Sequence, residues 1–298
     1  MKILITSGGG FFGEFLNRIL SEEYQVLTLY HKNIGSSNLF NSQYADITDY
    51  KLMSKIFDEF KPNVVIHSAS LANPILCKKF DSKIVYNINV NSTKNIAVLC
   101  DTIGSKLFYI STDLVYAGYR GSMLDENSKL IPASLYAETK LMAEVKIKEA
   151  FDNFIILRQT LLFGLSKYNS NNHFQFMFES LKKGNEIKVF TDQFRTPISV
   201  LESARVIKEL VKKNIKNEII NLGGEERVSR AELAELLCEI AEFDKNLLNK
   251  INMSDIPDCV GVKDVSLNTD KLTSLGIKIK SLENSVREVA QNFKSSVD

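Results

Sequence analysis

Residues 5–13 read Ile-Thr-Ser-Gly-Gly-Gly-Phe-Phe-Gly, between an apolar run at 2–6 and a helical pattern at 14–21. Gly8, Gly10 and Gly13 match G-x-G-x-x-G. In a strand–turn–helix, glycines allow a tight turn and let the backbone approach a pyrophosphate at the helix N-terminus. The pattern alone is weak. Placed directly after an N-terminal strand, it predicts a dinucleotide site. Gly8, Gly10, Phe11, Phe12 and Gly13 are therefore the first candidate cofactor contacts.

Strand-like apolar runs at 2–6, 25–30, 63–69, 106–112 and 153–159 alternate with helical stretches near 14–21, 50–60, 83–103 and 135–151. Near-continuous apolar strands between helices predict an α/β fold with a Rossmann-type doubly wound parallel sheet, covered on both faces. After about residue 165 the rhythm loosens. A polar linker at 166–172 leads to helices near 174–183, 201–213 and 229–243, short strands at 187–190 and 218–222, and a C-terminal helix from about 282. A length of 298 residues suits roughly two domains. The expected division is an NAD(P)-binding domain at 1–165 and a smaller C-terminal α/β substrate-binding part at 166–298, some of whose elements return to the first core.

Ligands of such sheets bind beyond the strand C-termini, so each strand end is informative. The second strand ends Tyr30-His31-Lys32-Asn33, without the carboxylate that would accept the ribose hydroxyls of NAD. The basic pair His31 and Lys32 suits a ribose 2′-phosphate, which favours NADPH over NADH. In Ala45-Asp46-Ile47-Thr48-Asp49, Asp46 and Ile47 are candidates to meet the adenine. Asp46 could instead cap the helix starting near Tyr50, a role that Thr48 or Asp49 fills as well. The small residues Ala69 and Ser70, after the strand from Asn63, let the chain pass close to a cofactor. With no acid or second histidine placed near it, His67 reads as a packed core histidine.

The fourth apolar run ends Ser111-Thr112-Asp113, and the next helix carries Tyr136-Ala137-Glu138-Thr139-Lys140. Of ten tyrosines, only Tyr136 has a lysine four positions later, on the same helical face. An ammonium beside a phenol, together with an oxidised nicotinamide, is expected to pull the phenol pKa from near 10 toward neutrality. A phenol tuned in this way can exchange a proton with a carbonyl or alcohol during hydride transfer. Thr112 would hold the same substrate oxygen.

The remaining features narrow the class. A formal net charge of +1 gives no electrostatic case for nucleic acid or an anionic membrane. No apolar run is long enough to span a bilayer. Cys77, Cys100, Cys238 and Cys259 are far apart, with no C-x-x-C and no histidine at metal spacing, so no metal site is expected and the thiols read as buried in a reducing compartment. The expected location is the cytoplasm.

These residues carry a resemblance. Over nearly its whole length the chain is similar to the extended short-chain dehydrogenases/reductases, and most closely to their sugar-nucleotide reductase branch. The marks are residues 3–13, Asp46-Ile47, 64–70 and Ile88-Asn89-Val90. They continue with Ser111-Thr112-Asp113-Leu114-Val115-Tyr116, Pro132, Tyr136 to Lys140, Glu144 and Ile156-Leu157-Arg158. Thr191-Asp192-Gln193, Pro197 and residues 264–269 complete the set. The resemblance implies Thr112, Tyr136 and Lys140 as the catalytic trio, with Lys140 also holding the nicotinamide ribose. It implies Asn89 near the cofactor and substrate contact at Thr112 and Asp113.

There are departures. Ser7 stands where the family usually has its first glycine, and Asn73 to Lys79 replaces an acidic stretch. Leu161 replaces an aromatic, and Arg195 stands where a small residue is usual. Arg195 reads either as a partner for a nucleotide diphosphate or as a solvated loop residue. Related 4,6-dehydratases use a glutamate at the position of Leu114, which cannot take a proton. The implied activity is therefore NADPH-dependent reduction of the 4-keto group of a nucleotide-activated deoxysugar. A nucleotide-sugar epimerase with retained NAD and a non-catalytic NADP-binding regulatory subunit are the alternatives. A homodimer packed through helices 83–103 and 135–151 is implied by resemblance alone.

Overall fold

The computed structural model describes residues 1–118, 121–169, 172–257 and 261–294. Its first half runs β1 (Lys2–Ile5), α1 (Phe11–Leu20), β2 (Gln25–Tyr30), β3 (Ser42–Tyr44), α2 (Tyr50–Phe60), β4 (Val64–His67), α3 (Pro74–Cys77), α4 (Ser82–Tyr86), α5 (Ser92–Ile103), β5 (Lys106–Thr112), α6 (Leu135–Ala150) and β6 (Phe154–Gln159). The rest runs β7 (Leu162–Phe163), α7 (His173–Lys182), β8 (Ile187–Phe190), β9 (Phe194–Arg195), β10 (Ile198–Ser199), α8 (Val200–Val211), β11 (Glu218–Leu222), β12 (Val228–Ser229), α9 (Arg230–Ala241), β13 (Leu248–Ile251), α10 (Asp270–Ser274) and α11 (Leu282–Lys294).

The chain separates into two compact units. Unit 1 comprises Met1–Val115, Leu130–Arg158 and Ile207–Ile220; unit 2 comprises Tyr116–Lys129, Gln159–Val206 and Asn221–Asp298. The single boundary expected at 165 becomes several crossings. Residues 116–129 belong to unit 2, and residues 207–220 return to unit 1.

A seven-stranded sheet in the order β11-β6-β5-β4-β1-β2-β3 organises unit 1. The β1–β2, β1–β4, β2–β3 and β4–β5 pairings are parallel. Successive β1 side chains point to opposite faces, yet Ile3, Leu4 and Ile5 are all fully buried, as a sheet covered on both faces requires. One core layer joins Leu4, Leu29, Phe57, Val65, Ile96 and Leu107. Strand order reverses at β1, with β2 on one side and β4 on the other, which opens a crevice beyond their C-terminal ends.

Helix signals in the sequence act where they stand. Asp49 caps α2 by accepting from the Leu52 N–H at 3.0 Å, and Ser134 caps α6 by accepting from the Ala137 N–H at 3.2 Å. The helix expected over 83–103 is not one regular rod. Between α4 and α5, residues Asn87–Asn91 form a widened π turn. Gly104, at φ 72°, ends α5 in the left-handed region that favours glycine.

Unit 2 packs a separate core, in which Phe163, Phe174, Phe178, Leu237 and Val286 gather. A parallel β8–β13 pair and a capping box at Ser229 and Glu232 belong to it. Among the described residues, no helix is long and apolar enough to cross a membrane, and no group of His, Cys, Asp or Glu could hold a metal. Cys77, Cys100 and Cys238 are buried free thiols, while Cys259 lies outside the described residues.

Candidate active site

The first strand–turn–helix is shaped by packing. A Cβ at Gly8 would stand 1.6 Å from Thr28 Oγ1, and one at Gly13 would stand 1.9 Å from the Ser7 carbonyl oxygen. Neither glycine has a positive φ. They are required because β2 and the head of α1 press on the turn, and the expected need for turn flexibility gives way to close approach. Ser7 fits the turn, since its carbonyl accepts from the Gly10 N–H at 3.2 Å.

The crevice is a groove of about 520 Å³, and it lies within unit 1. Gly9 and Gly10 line it at the N-terminal end of α1. His31, Lys32, Asp46 and Ile47 line it beyond β2 and β3, and Ala69 and Ser70 beyond β4. Gly8, Phe11, Phe12 and Gly13 lie outside its lining; close packing takes up the two glycines, and Phe11 lies edge-on to Phe15 at 5.7 Å. Sequence reasoning missed Thr6, Gly9, Leu71 and the apolar wall of Phe80, Ile84 and Ile88. Only Gly9, inside the Gly8–Gly10 triplet, carried a readable signal.

Asp46 and Asp49 divide the work once left open between them. Asp49 takes the cap, while Asp46 Oδ1 accepts from the Thr48 N–H at 2.9 Å and the Thr48 hydroxyl at 2.8 Å. Asp46 Oδ2 is 3.8 Å from His31 Nε2, both side chains being 44% exposed. Burial pushes the Asp46 carboxyl up, but the Thr48 hydrogen bonds and the His31 and Lys32 charges outweigh it, so its pKa is lowered. Tyr44 stands against His31, ring centres 5.6 Å apart.

Asn89 is not on the groove surface. Buried in the π turn, its Oδ1 accepts from the Leu71 N–H at 2.8 Å, and its Nδ2 donates to Thr139 Oγ1 at 3.0 Å and the Leu71 carbonyl at 3.3 Å. It fixes the backbone of Leu71, which does line the groove.

Thr112, Tyr136 and Lys140 are sealed in the same unit, at 6%, 9% and 2% exposure, and neither Tyr136 nor Lys140 lines the groove. Thr112 Oγ1 donates to Asp113 Oδ1 at 3.1 Å and accepts from the Leu114 N–H at 3.2 Å. Burial and then the Asp113 charge push the Tyr136 phenol above its ordinary range, against the hydrogen bonding of Thr112. Lys140 is not among the groups that shift this phenol, so the chain's own groups raise its pKa; the downward pull expected with an oxidised nicotinamide bound concerns another state. Lys140 Nζ instead stands over the Tyr109 ring, 4.2 Å from its centre. Burial lowers its pKa to about 7, with Glu144 opposing. His67 is a packed core histidine. Its Nδ1 and Nε2 pair with Thr6 Oγ1 at 2.8 Å and Thr93 Oγ1 at 2.9 Å, and burial, then the Lys140 charge, lower its pKa to about 3.

Arg195, in unit 2, is neither a solvated loop residue nor an open anion ligand. It is buried, and its Nη1 donates to the Phe194 and Val262 carbonyls at 2.6 and 3.1 Å. Those bonds tie β9 to the chain near 262.

Residues 1–295 match the model of a family described as the RmlD substrate binding domain. A dTDP-4-dehydrorhamnose reductase from Aggregatibacter actinomycetemcomitans is 27% identical over 263 residues, covering 86% of this chain and 82% of the relative. Methionine adenosyltransferase 2 subunit beta from Rattus norvegicus is 24% identical over 282 residues, covering 93% and 83%. The fold is shared with the dTDP-4-dehydrorhamnose reductase of Bacillus anthracis solved in complex with NADP, at a TM-score of 0.85 and 24% identity, covering 97% and 98% of the two chains.

Proposed function

The chain belongs to the RmlD substrate binding domain family, and from that premise we propose that it is an NADPH-dependent reductase of the 4-keto group of a nucleotide-activated deoxysugar. The observation that carries this reading is the buried set Thr112, Tyr136 and Lys140 in the unit that holds the groove. Leu71 links the two, since it lines the groove and packs on the cluster containing Tyr136.

The groove residues fit a dinucleotide. Backbone at Gly9 and Gly10, at the start of α1, suits a pyrophosphate. His31 and Lys32 suit a 2′-phosphate, and Ala69 and Ser70 leave room for a close approach. The similar Bacillus anthracis protein holds NADP. When bound, the reduced nicotinamide supplies a hydride to the keto carbon. Tyr136 Oη donates the proton that the former carbonyl oxygen needs. The phenol is protonated, the form an acid needs in the reducing direction; efficient transfer further requires the bound state to bring its pKa back toward the working pH. Thr112 Oγ1 orients that oxygen, and Lys140, on the same face of α6 as Tyr136, is assigned to hold the nicotinamide ribose. Asp113 is assigned to the substrate side.

The buried thiols Cys77, Cys100 and Cys238 support a cytoplasmic location. Exposed Ile84 and Val98 support packing of two copies through the α4–α5 region. Similarity to the methionine adenosyltransferase subunit favours one second reading, a regulatory subunit that binds NADP without turnover.

The test is NADPH oxidation against a panel of 4-keto-6-deoxy nucleotide sugars, with NADH alongside. The reductase reading expects turnover with NADPH preferred. Tight NADPH binding without turnover, and stable co-purification with a larger enzyme, would instead mark the regulatory reading.

A further inference from the structure

Behind Lys140 lies a buried polar chain to which the mechanism above gives no role. Lys140 and Glu144 are four residues apart on α6 and share a face, as Tyr109 and Ser111 do two residues apart on β5. Lys140 Nζ stands over the Tyr109 ring, and Glu144 Oε1 accepts from Ser111 Oγ at 2.5 Å. From β6, Arg158 clamps the same carboxylate, Nε to Oε1 at 3.2 Å and Nη2 to Oε2 at 2.9 Å. Glu144 and Arg158 are 0% and 1% exposed. Desolvation cancels most of the attraction in such a pair, so stability alone is a weak reason for placing it there. Its neighbour Ser111 directly precedes the catalytic Thr112, and its carboxylate lies one turn beyond the catalytic lysine.

Resting on the reductase reading, we propose that Glu144 is a positioning residue, a buried carboxylate one turn along α6 that Ser111 and Arg158 hold in place and whose charge favours the Lys140 ammonium. The groups around Lys140 leave this task to Glu144. From β5, the Tyr109 phenol is pushed well above its ordinary range by burial and stays neutral. From β4, His67 is held neutral at physiological pH by burial and by Lys140 itself. On α6, Tyr136 is held neutral by burial and by the charge of Asp113, which follows β5. Glu144 is the charge that opposes the loss of the Lys140 proton on burial. Without it the ammonium is lost at lower pH, since burial disfavours the charged form of a lysine.

The experiment follows Lys140 Nζ ionisation by NMR of the lysine-labelled free protein, with Lys140→Met assigning the signal and NADPH fluorescence titrated at each pH. Wild type is expected to titrate near pH 7 and to lose NADPH affinity as that proton leaves. Glu144→Gln is expected to move both curves down by about one pH unit or more, while Glu144→Asp restores them toward wild type. Glu144→Gln leaves Arg158 buried without its carboxylate, so an unfolded Glu144→Gln does not decide the matter. Ser111→Ala, which removes one neutral donor, then decides it by a smaller shift in the same direction. A folded Glu144→Gln with a wild-type Lys140 curve overturns the proposal, as does an unshifted Ser111→Ala if Glu144→Gln is unfolded. If the Lys140 curve shifts but wild type binds no NADPH at any pH, the counter-charge stands and the dinucleotide reading falls.

Discussion

The groove and the trio Thr112, Tyr136 and Lys140 occupy the same unit of the fold but opposite electrostatic regimes. His31 and Asp46 are each 44% exposed at the groove, whereas Lys140 is 2% exposed and Tyr136 9%. Around the groove, water screens each charge, and the shift of Asp46 is a balance of small opposed effects. Burial is the first influence in both places, but at Asp46 it is outweighed, whereas around the trio it sets the direction of every shift, for His67, Tyr109, Tyr136 and Lys140 alike. The difference teaches that recognition and chemistry answer to different conditions. Affinity for the 2′-phosphate should be sensitive to salt, and proton transfer should be sensitive to pH and indifferent to salt.

The largest expected effect is at the sealed end. Tyr136→Phe removes the proton donor while filling the same space, and turnover should fall by about 10²- to 10⁴-fold with NADPH affinity nearly unchanged. Steady-state kinetics beside a fluorescence titration separates the two. Equal losses in both would break the division between the two regions. Next in size is the turn before α1. Gly13→Ala forces a methyl against the Ser7 carbonyl, so thermal denaturation should show a loss of about 1–3 kcal/mol, with dinucleotide binding weakened as the turn shifts.

A smaller effect belongs to the open side. The double variant His31→Ala, Lys32→Ala should lose about tenfold in NADPH affinity and little in NADH affinity. That loss should shrink as salt rises from 0.05 to 0.5 M or so; a salt-independent loss would show that the pair is not solvated when it acts. The last concerns stability under acid. His67 has a pKa of about 3 in the fold, against 6.5 for the ordinary group. The unfolded chain therefore takes up a proton first as pH falls. Stability from this group is complete above about pH 6.5 and is lost progressively toward pH 3. Melting curves from pH 7 to 5 should fall less steeply in His67→Gln than in wild type.

Much of unit 1 was legible because local signals and global fold agree there. The β1, β2, β4, β5 and β6 runs are largely apolar, as strands covered on both faces should be, while the polar β3 at the sheet edge is not, and Asp49 and Ser134 begin helices as cap residues should. The trio was legible from spacing on one strand end and one helix. Its electrostatics were not, because burial depends on packing from β4, β5 and α6 together, which no spacing reveals. Arg195 shows the same limit. An arginine in a polar segment reads as solvated or ligand-binding, and only the fold brings the Phe194 and Val262 carbonyls to it. Asn89 was placed in the right region, but its amide is turned to Leu71 by a π turn for which the sequence carried no sign. The two-residue strands of unit 2 are too short to leave a periodic pattern.

The most direct test of the central claim follows the hydride itself. Wild-type protein is incubated with a 4-keto-6-deoxy nucleotide sugar and NADPH dideuterated at C4 of the nicotinamide, and the sugar product is examined by mass spectrometry and NMR. The account predicts one deuterium per product molecule, bound to sugar C4. A product without deuterium, or no product while NADPH stays bound, would contradict it.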